Sequence, residues 1–194
     1  MLKVELLSDS AVEPVNVAEL RAHLRVSDNL EDAVMAAMLT AARKSVEQIL
    51  RRALISQTWK LYLDDFPDND RIKLPFPPLA SVTNVKYYNQ DAALTTLSTA
   101  YYQVDSKKTP GEVVLKGDAS WPLVELDKVN AVEVEFVAGY GSTPSSVPNP
   151  IRIAILHLAS HWFENREPFS TTNVYNVPSM FDAILQPYRF LTLR

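Results

Sequence analysis

The spacing of apolar residues changes at Ile55 and changes back after Gly141, and this pair of switches constrains the fold more than any motif does. Over residues 30–53 the apolar side chains recur at helical spacing. Leu30, Val34, Met35, Met38, Leu39, Ala41, Ala42, Val46, Ile49 and Leu50 make a broad arc, with Thr40, Arg43, Lys44, Glu47 and Arg51 gathered on the other side. Arg43, Glu47 and Arg51 stand at i, i+4 and i+8, where opposite charges support one another by about 0.3–0.5 kcal/mol per pair. So wide an arc exceeds what one packing neighbour requires, so the helix is expected to be central or shared between subunits. Ahead of it, Asn16 and Glu19 have the spacing of a capping box for "VAELRAHL", and Asp28 with Glu31 repeats the device before the long helix.

From Ile55 the period is two. "TWKLYLDDF" puts Trp59, Leu61 and Leu63 on one face and Thr58, Lys60 and Tyr62 on the other. "VTNVKYYN", "YYQVD", "EVVLK" and "AVEVEFVAG" read as further short strands, the last with Val132, Val134 and Phe136 inward and Glu133 and Glu135 outward. After the linker "STPSSVPNP", Asn149 as cap and Pro150 in the first turn open a helix through "IRIAILHLASHWFENR", which Pro168 stops. Ser179 with Asp182 caps a last short helix, "MFDAIL", which Pro187 ends. The expected fold is α+β: a helical core from residues 1–54 and 142–194, with a small antiparallel sheet or barrel-like unit inserted at 55–141.

Composition excludes several classes of chemistry. With no cysteine there is no disulfide, no thiolate metal site and no cysteine nucleophile, which fits folding in a reducing cytoplasm. The start "MLKVELLSDS" lacks a signal pattern, and no apolar run approaches the roughly 18 residues of a membrane span, so no membrane partner is expected. A net charge of -4 gives no global attraction to nucleic acid. The four glycines include only Gly139 and Gly141 in "AGYGS", which does not run directly into a helix, so a phosphate-cradling loop is not expected.

Candidate chemical centres are few. His157, His161 and Glu164 share one face of the late helix, and ring nitrogens one turn apart can converge on zinc. A zinc hydrolase of the helical type wants a glutamate directly after its first histidine, and Leu158 holds that place. A metal-assisted hydrolase using these three residues is thus the weaker alternative to a plain polar face. "DDFPDNDR" fails as a calcium loop, because Asn69 and Pro75 occupy the sixth and twelfth positions. No G-x-S-x-G elbow surrounds any serine. The basic pairs Arg43/Lys44, Arg51/Arg52 and Lys107/Lys108 sit on an acidic chain, and ion pairing explains them better than base recognition. No catalytic residue, metal or cofactor is expected.

The order of the segments resembles the head–tail connector (adaptor, head-completion) family of tailed bacteriophages. It looks most like a long branch often labelled as an uncharacterised phage protein with possible DNA-packaging involvement. The matching stretches are "VNVAELRAHLRV", "AARKSVEQILRRALISQTWKLYLDDFP", "IKLPFPPLASVTNVKYYN", "ASWP", "VEVEFVAGYG", "VPNPIRIAILHLASHWFENRE" and "PYR", which span most of residues 15–189. The resemblance implies a non-enzymatic virion protein made in the bacterial host cytoplasm. About a dozen copies would form a ring under the portal protein by heterologous contacts. DNA would pass through it without sequence recognition, and a downstream neck or tail-completion protein would dock beneath. Such connectors can stay monomeric until the portal offers a template. Another neck or tail virion component is the alternative within the same class.

On this reading "HWFENREPF" is a contact surface, since aromatic and arginine residues are common interface anchors. The interface candidates are Arg43, Glu47, Arg51, Arg52, His161, Trp162, Glu164, Asn165, Arg166, Tyr188 and Arg189. The tail from Phe169 onward is expected to order on docking to the portal.

Overall fold

The computed structural model describes residues 3–124, 129–165 and 179–190, the side chains of Ser179 and Met180 excepted. The chain forms two compact units, Met1–Ser10 with Ser56–Tyr140, and Ala11–Ile55 with Gly141–Arg194.

The second unit is helical. Helix α1 (Val17–Leu24) begins with the expected capping box: the Glu19 N–H donates to Asn16 Oδ1 and the Asn16 N–H to Glu19 Oε2, each at 2.9 Å. Helix α2 (Asp32–Leu50) is shorter at both ends than the apolar pattern implies. Asp28 Oδ1 accepts from the Leu30 N–H, a local turn, and the cap residue of α2 is Glu31, whose side chain makes no capping bond to the helix. The second expected capping box therefore does not form. At the far end Arg51 turns left-handed (φ 55°), the Arg51 N–H donates to the Gln48 carbonyl, and the Arg52 N–H donates to the Glu47 carbonyl. That is a Schellman closure with arginine where glycine is usual. Arg25 closes α1 in the same way at φ 59°.

Helix α3 (Asn149–Glu164) packs on α2 and α1, and helix α4 (Ser179–Leu185) packs on α3. The cap of α3 is Pro148, one residue earlier than expected. Leu20, Met35, Leu39, Val46, Leu50, Ile151 and Ile155 are buried where these helices meet, each burial contributing about 1.5–3 kcal/mol.

The first unit holds two antiparallel sheets. Strands β1 (Lys3–Ser8), β2 (Gln57–Leu63), β4 (Leu79–Tyr88), β5 (Leu94–Thr96) and β8 (Val132–Ala138) make one, in the order β1-β2-β8-β4-β5. Strands β3 (Arg71–Lys73), β6 (Tyr102–Asp105) and β7 (Glu112–Leu115) make the other, ordered β3-β7-β6. Both sheets have free edges, so the barrel-like alternative is set aside. The α+β class stands.

The expected alternation holds in β8, where Val132, Val134, Phe136 and Ala138 are buried and Glu133 and Glu135 half-buried. Glu133 faces Lys60 at 3.1 Å. The N-terminus differs from expectation. Lys3–Ser8 is a strand paired with β2, so the strand-rich unit begins with the first residues rather than at residue 55. Ladder bonds hold it, together with the Tyr62 hydroxyl donating to Glu5 Oε2, which pushes Tyr62 up to about 12.

Candidate subunit interface

The sequence-derived interface residues fall into three groups. The first lies inside the helical unit. Arg43 is only 2% exposed; its Nε donates to Glu13 Oε2 at 2.8 Å and its Nη1 to Glu47 Oε2 at 2.9 Å. Thr40 Oγ1 donates to Glu13 Oε1 at 2.8 Å, and the Leu54 N–H to Glu47 Oε1 at 3.0 Å. A cation so enclosed requires this many acceptors, because an unpaired buried charge costs several kcal/mol. Arg43 and Glu47 are therefore correctly read as a charge pair, and they fasten residues 13 and 54 to α2, Arg43 buried and Glu47 half-buried.

The second group is the C-terminal end of α2. The last carbonyls of a helix lack partners within it. Here the Phe190 N–H donates to the Leu50 carbonyl at 2.9 Å and Arg189 Nε to the Ile49 carbonyl at 3.1 Å, while Arg52 Nε donates to the Tyr188 carbonyl. Arg52, Tyr188 and Arg189, far apart in sequence, are thus brought together as a clasp. Arg51 beside them is exposed. Ser179–Leu185 forms α4 and Gln186–Tyr188 the 3-10 turn that follows it. Residues 169–178 and 191–194 lie outside the described residues. An open cleft of about 470 Å³ lies between this clasp and α4, lined by Ile49, Asp182, Ala183, Leu185, Gln186 and Arg189.

The third group is the end of α3. Trp162 and His161 are half-buried, and Glu164 and Asn165 are exposed. Asn165 caps the helix: both its N–H and its Nδ2 donate to the His161 carbonyl, at 3.0 and 2.9 Å. Arg166 lies outside the described residues. His157 turns its ring edge-on to His23 of α1 at 5.2 Å between centroids. Among the described residues no three histidine, aspartate or glutamate side chains gather as metal ligands would.

Sequence reading passed over Arg152. Its Nε donates to the Pro14 carbonyl at 2.9 Å and its Nη2 to Glu19 Oε1, so the capping-box glutamate also pins α3 to α1. Beside it is a shallow, largely apolar cavity of about 200 Å³, lined by Val15, Glu19, Asn149, Arg152, Ile153 and Leu156. The arginine's i+3 relation to Asn149 was visible in the sequence, but its partners lie 133 and 138 residues away. No helix among the described residues is long and apolar enough to cross a membrane.

No family model matches the sequence, and no curated protein matches it. Solved structures do. A chain from the neck of an empty gene transfer agent (GTA) particle, computed with C6 symmetry, superimposes with a TM-score of 0.83 at 24% identity over 99% of this chain and 97% of that one. A chain from the virion of a native GTA particle gives a TM-score of 0.79 at 23% identity, covering 98% and 97% of the two chains. A chain from the neck of a native GTA particle, computed with C12 symmetry, gives 0.75 at 25% identity over 100% and 97%. Both units are thus present, end to end, in the fold of chains solved in such particles.

Proposed function

We propose that this chain is a structural component of the neck of a tailed-phage-like particle, and within that neck the head–tail connector. In this reading about a dozen copies form a ring under the portal, extend the DNA channel and offer a platform to the neck or tail protein below. The observation that carries it is the end-to-end likeness to chains from GTA particles, two of them from necks computed with C6 and C12 symmetry. Physical features support it. Arg43 and Glu47 of α2 are used internally rather than as a groove for nucleic acid, and the chain carries a net charge of -4. A wall past which DNA must slide gains nothing from gripping phosphates. The proposed role needs neither enzyme chemistry nor cofactor.

Deleting the gene in its host and inspecting the particles by electron microscopy tests this. Filled heads separated from tails, restored to whole particles by the intact gene, are expected. Whole particles in the deletion strain would overturn the connector role, and heads joined to a defective tail would move the chain further down the neck.

A further inference from the structure

Leu30 is 87% exposed, more than any other large apolar side chain among the described residues. It ends an exposed run, residues 27–30, in the connection from α1 to α2. Asp28 Oδ1 accepts the Leu30 N–H at 3.2 Å, a local bond that shapes the backbone beneath the leucine. The helical unit also carries the converse feature. The cavity of about 200 Å³ beside Arg152 is walled by the apolar side chains of Val15, Ile153 and Leu156, and Ile153 is 45% exposed there. A dry apolar cavity of about 150 Å³ is enough to hold a benzene, so this one has room for a leucine side chain. Leu30 stands in water while the cavity is open, so the leucine does not fill the cavity of its own copy.

Charge agrees with a second copy as the occupant. Asp28, exposed two residues before Leu30, brings a carboxylate to the rim of whatever the leucine enters. Part of the cavity rim is the first turn of α3, which starts at Asn149 behind a proline cap that makes no side-chain bond. A helix start is the positive end of its dipole and favours a carboxylate. Glu19 on the same rim already accepts from the Asn16 N–H and from Arg152, so its charge is balanced there.

We infer that Leu30 of one copy seats in the cavity between Val15, Ile153 and Leu156 of the next copy, with Asp28 set at the start of that copy's α3. This rests on the ring reading above and names one pair of faces for it. A projection on one patch and a hollow on another make a heterologous contact, the kind that closes into rings. One leucine covers far less than the roughly 800 Å² per partner of a stable interface. The seating therefore anchors neighbouring copies without holding a free pair together.

The chain has no cysteine, so introduced ones are the only thiols it carries. Leu30→Cys and Ile153→Cys are made singly and together, and folding is checked by thermal melting. A short bismaleimide is added to the concentrated chain and to the chain mixed with portal, and the links are located by peptide mapping. The two single variants mixed are expected to give a dimer linked 30 to 153, and the double variant a ladder running past dimer. Each single variant should stay monomeric by itself. Dimers of either single variant alone would show like meeting like and overturn the proposal, as would absence of the 30–153 link. Leu30→Asp changes a side chain that stands in water, so it should melt as the parent does. It should nonetheless need at least about tenfold more protein to form rings on portal. Rings at the parent's concentration would overturn the proposal too. Mass photometry of the unmodified chain with portal separates the failures: rings without the 30–153 link leave the ring reading standing on other faces, and no rings sink both.

Discussion

Removing the guanidinium of Arg43 would take away the buried cation that the carboxylates of Glu13 and Glu47 share. Breaking a buried ion network by deleting one partner costs about 3–5 kcal/mol, so Arg43→Ala should lose that much in denaturant unfolding. A loss below about 1 kcal/mol would place the charge in solvent instead. Glu112 makes a second case in the strand unit. It is fully buried, which pushes its carboxyl up, but Lys108 at 2.8 Å and Arg71 at 3.1 Å hold it below the usual carboxylate range. A carboxyl depressed on folding contributes stability above its unfolded value, near pH 4.3, and loses it as pH falls through the lower folded value. Lys108→Met leaves Arg71 alone against burial. The variant should be less stable than the parent chain at neutral pH and lose less of its stability on acidification, because the folded value rises toward the unfolded one, read as melting temperature from pH 7 down to 3. An equal melting temperature at neutral pH and an equal loss across that range would show that Lys108 contributes nothing.

At the scale of elements, the two left-handed arginines carry a cost that glycine would not. Arg25 closes α1 at φ 59°, a conformation that disfavours side chains bearing a Cβ by about 1 kcal/mol. Arg25→Gly should raise stability by up to about 1 kcal/mol, less the greater freedom glycine has when unfolded, and a lower melting temperature would reveal a contact of Arg25 that matters more. These closures also explain what the sequence concealed. Apolar spacing marks α2, but it runs on past Leu50, and without a glycine at the end nothing announces the turn. Strand β8 and the capping box at Asn16 were legible because burial alternates cleanly in one and both partners lie three residues apart in the other. Strand β1 was not legible: at the sheet edge "KVELLS" is exposed on nearly every residue, so it has no buried face to pattern. Gly111 was visible only as part of a turn. A Cβ there would run into the Leu79 side chain, a close approach of the residue before β7 to β4 that no local signal records. Of the interface candidates, the wheel of α2 placed Arg43 on a polar side. It could not foresee Glu13 folding back over that side from 30 residues away.

Across the whole molecule, the chain consists of a helical unit tied internally by Arg43 and Arg152 and an open-edged strand unit, and on the proposed reading both act in the assembled neck. Surfaces that leave Leu30 and Ile153 in water carry a solvation cost that assembly would relieve. The most direct test of the central claim is electron microscopy of the purified chain mixed with the portal ring of its own particle, classified by symmetry. The account predicts an added annulus coaxial with the portal, about a dozen copies around an open channel, with no such annulus on the chain by itself at low concentration. Portal rings that emerge unchanged, with the chain left in the unbound fraction, would contradict it.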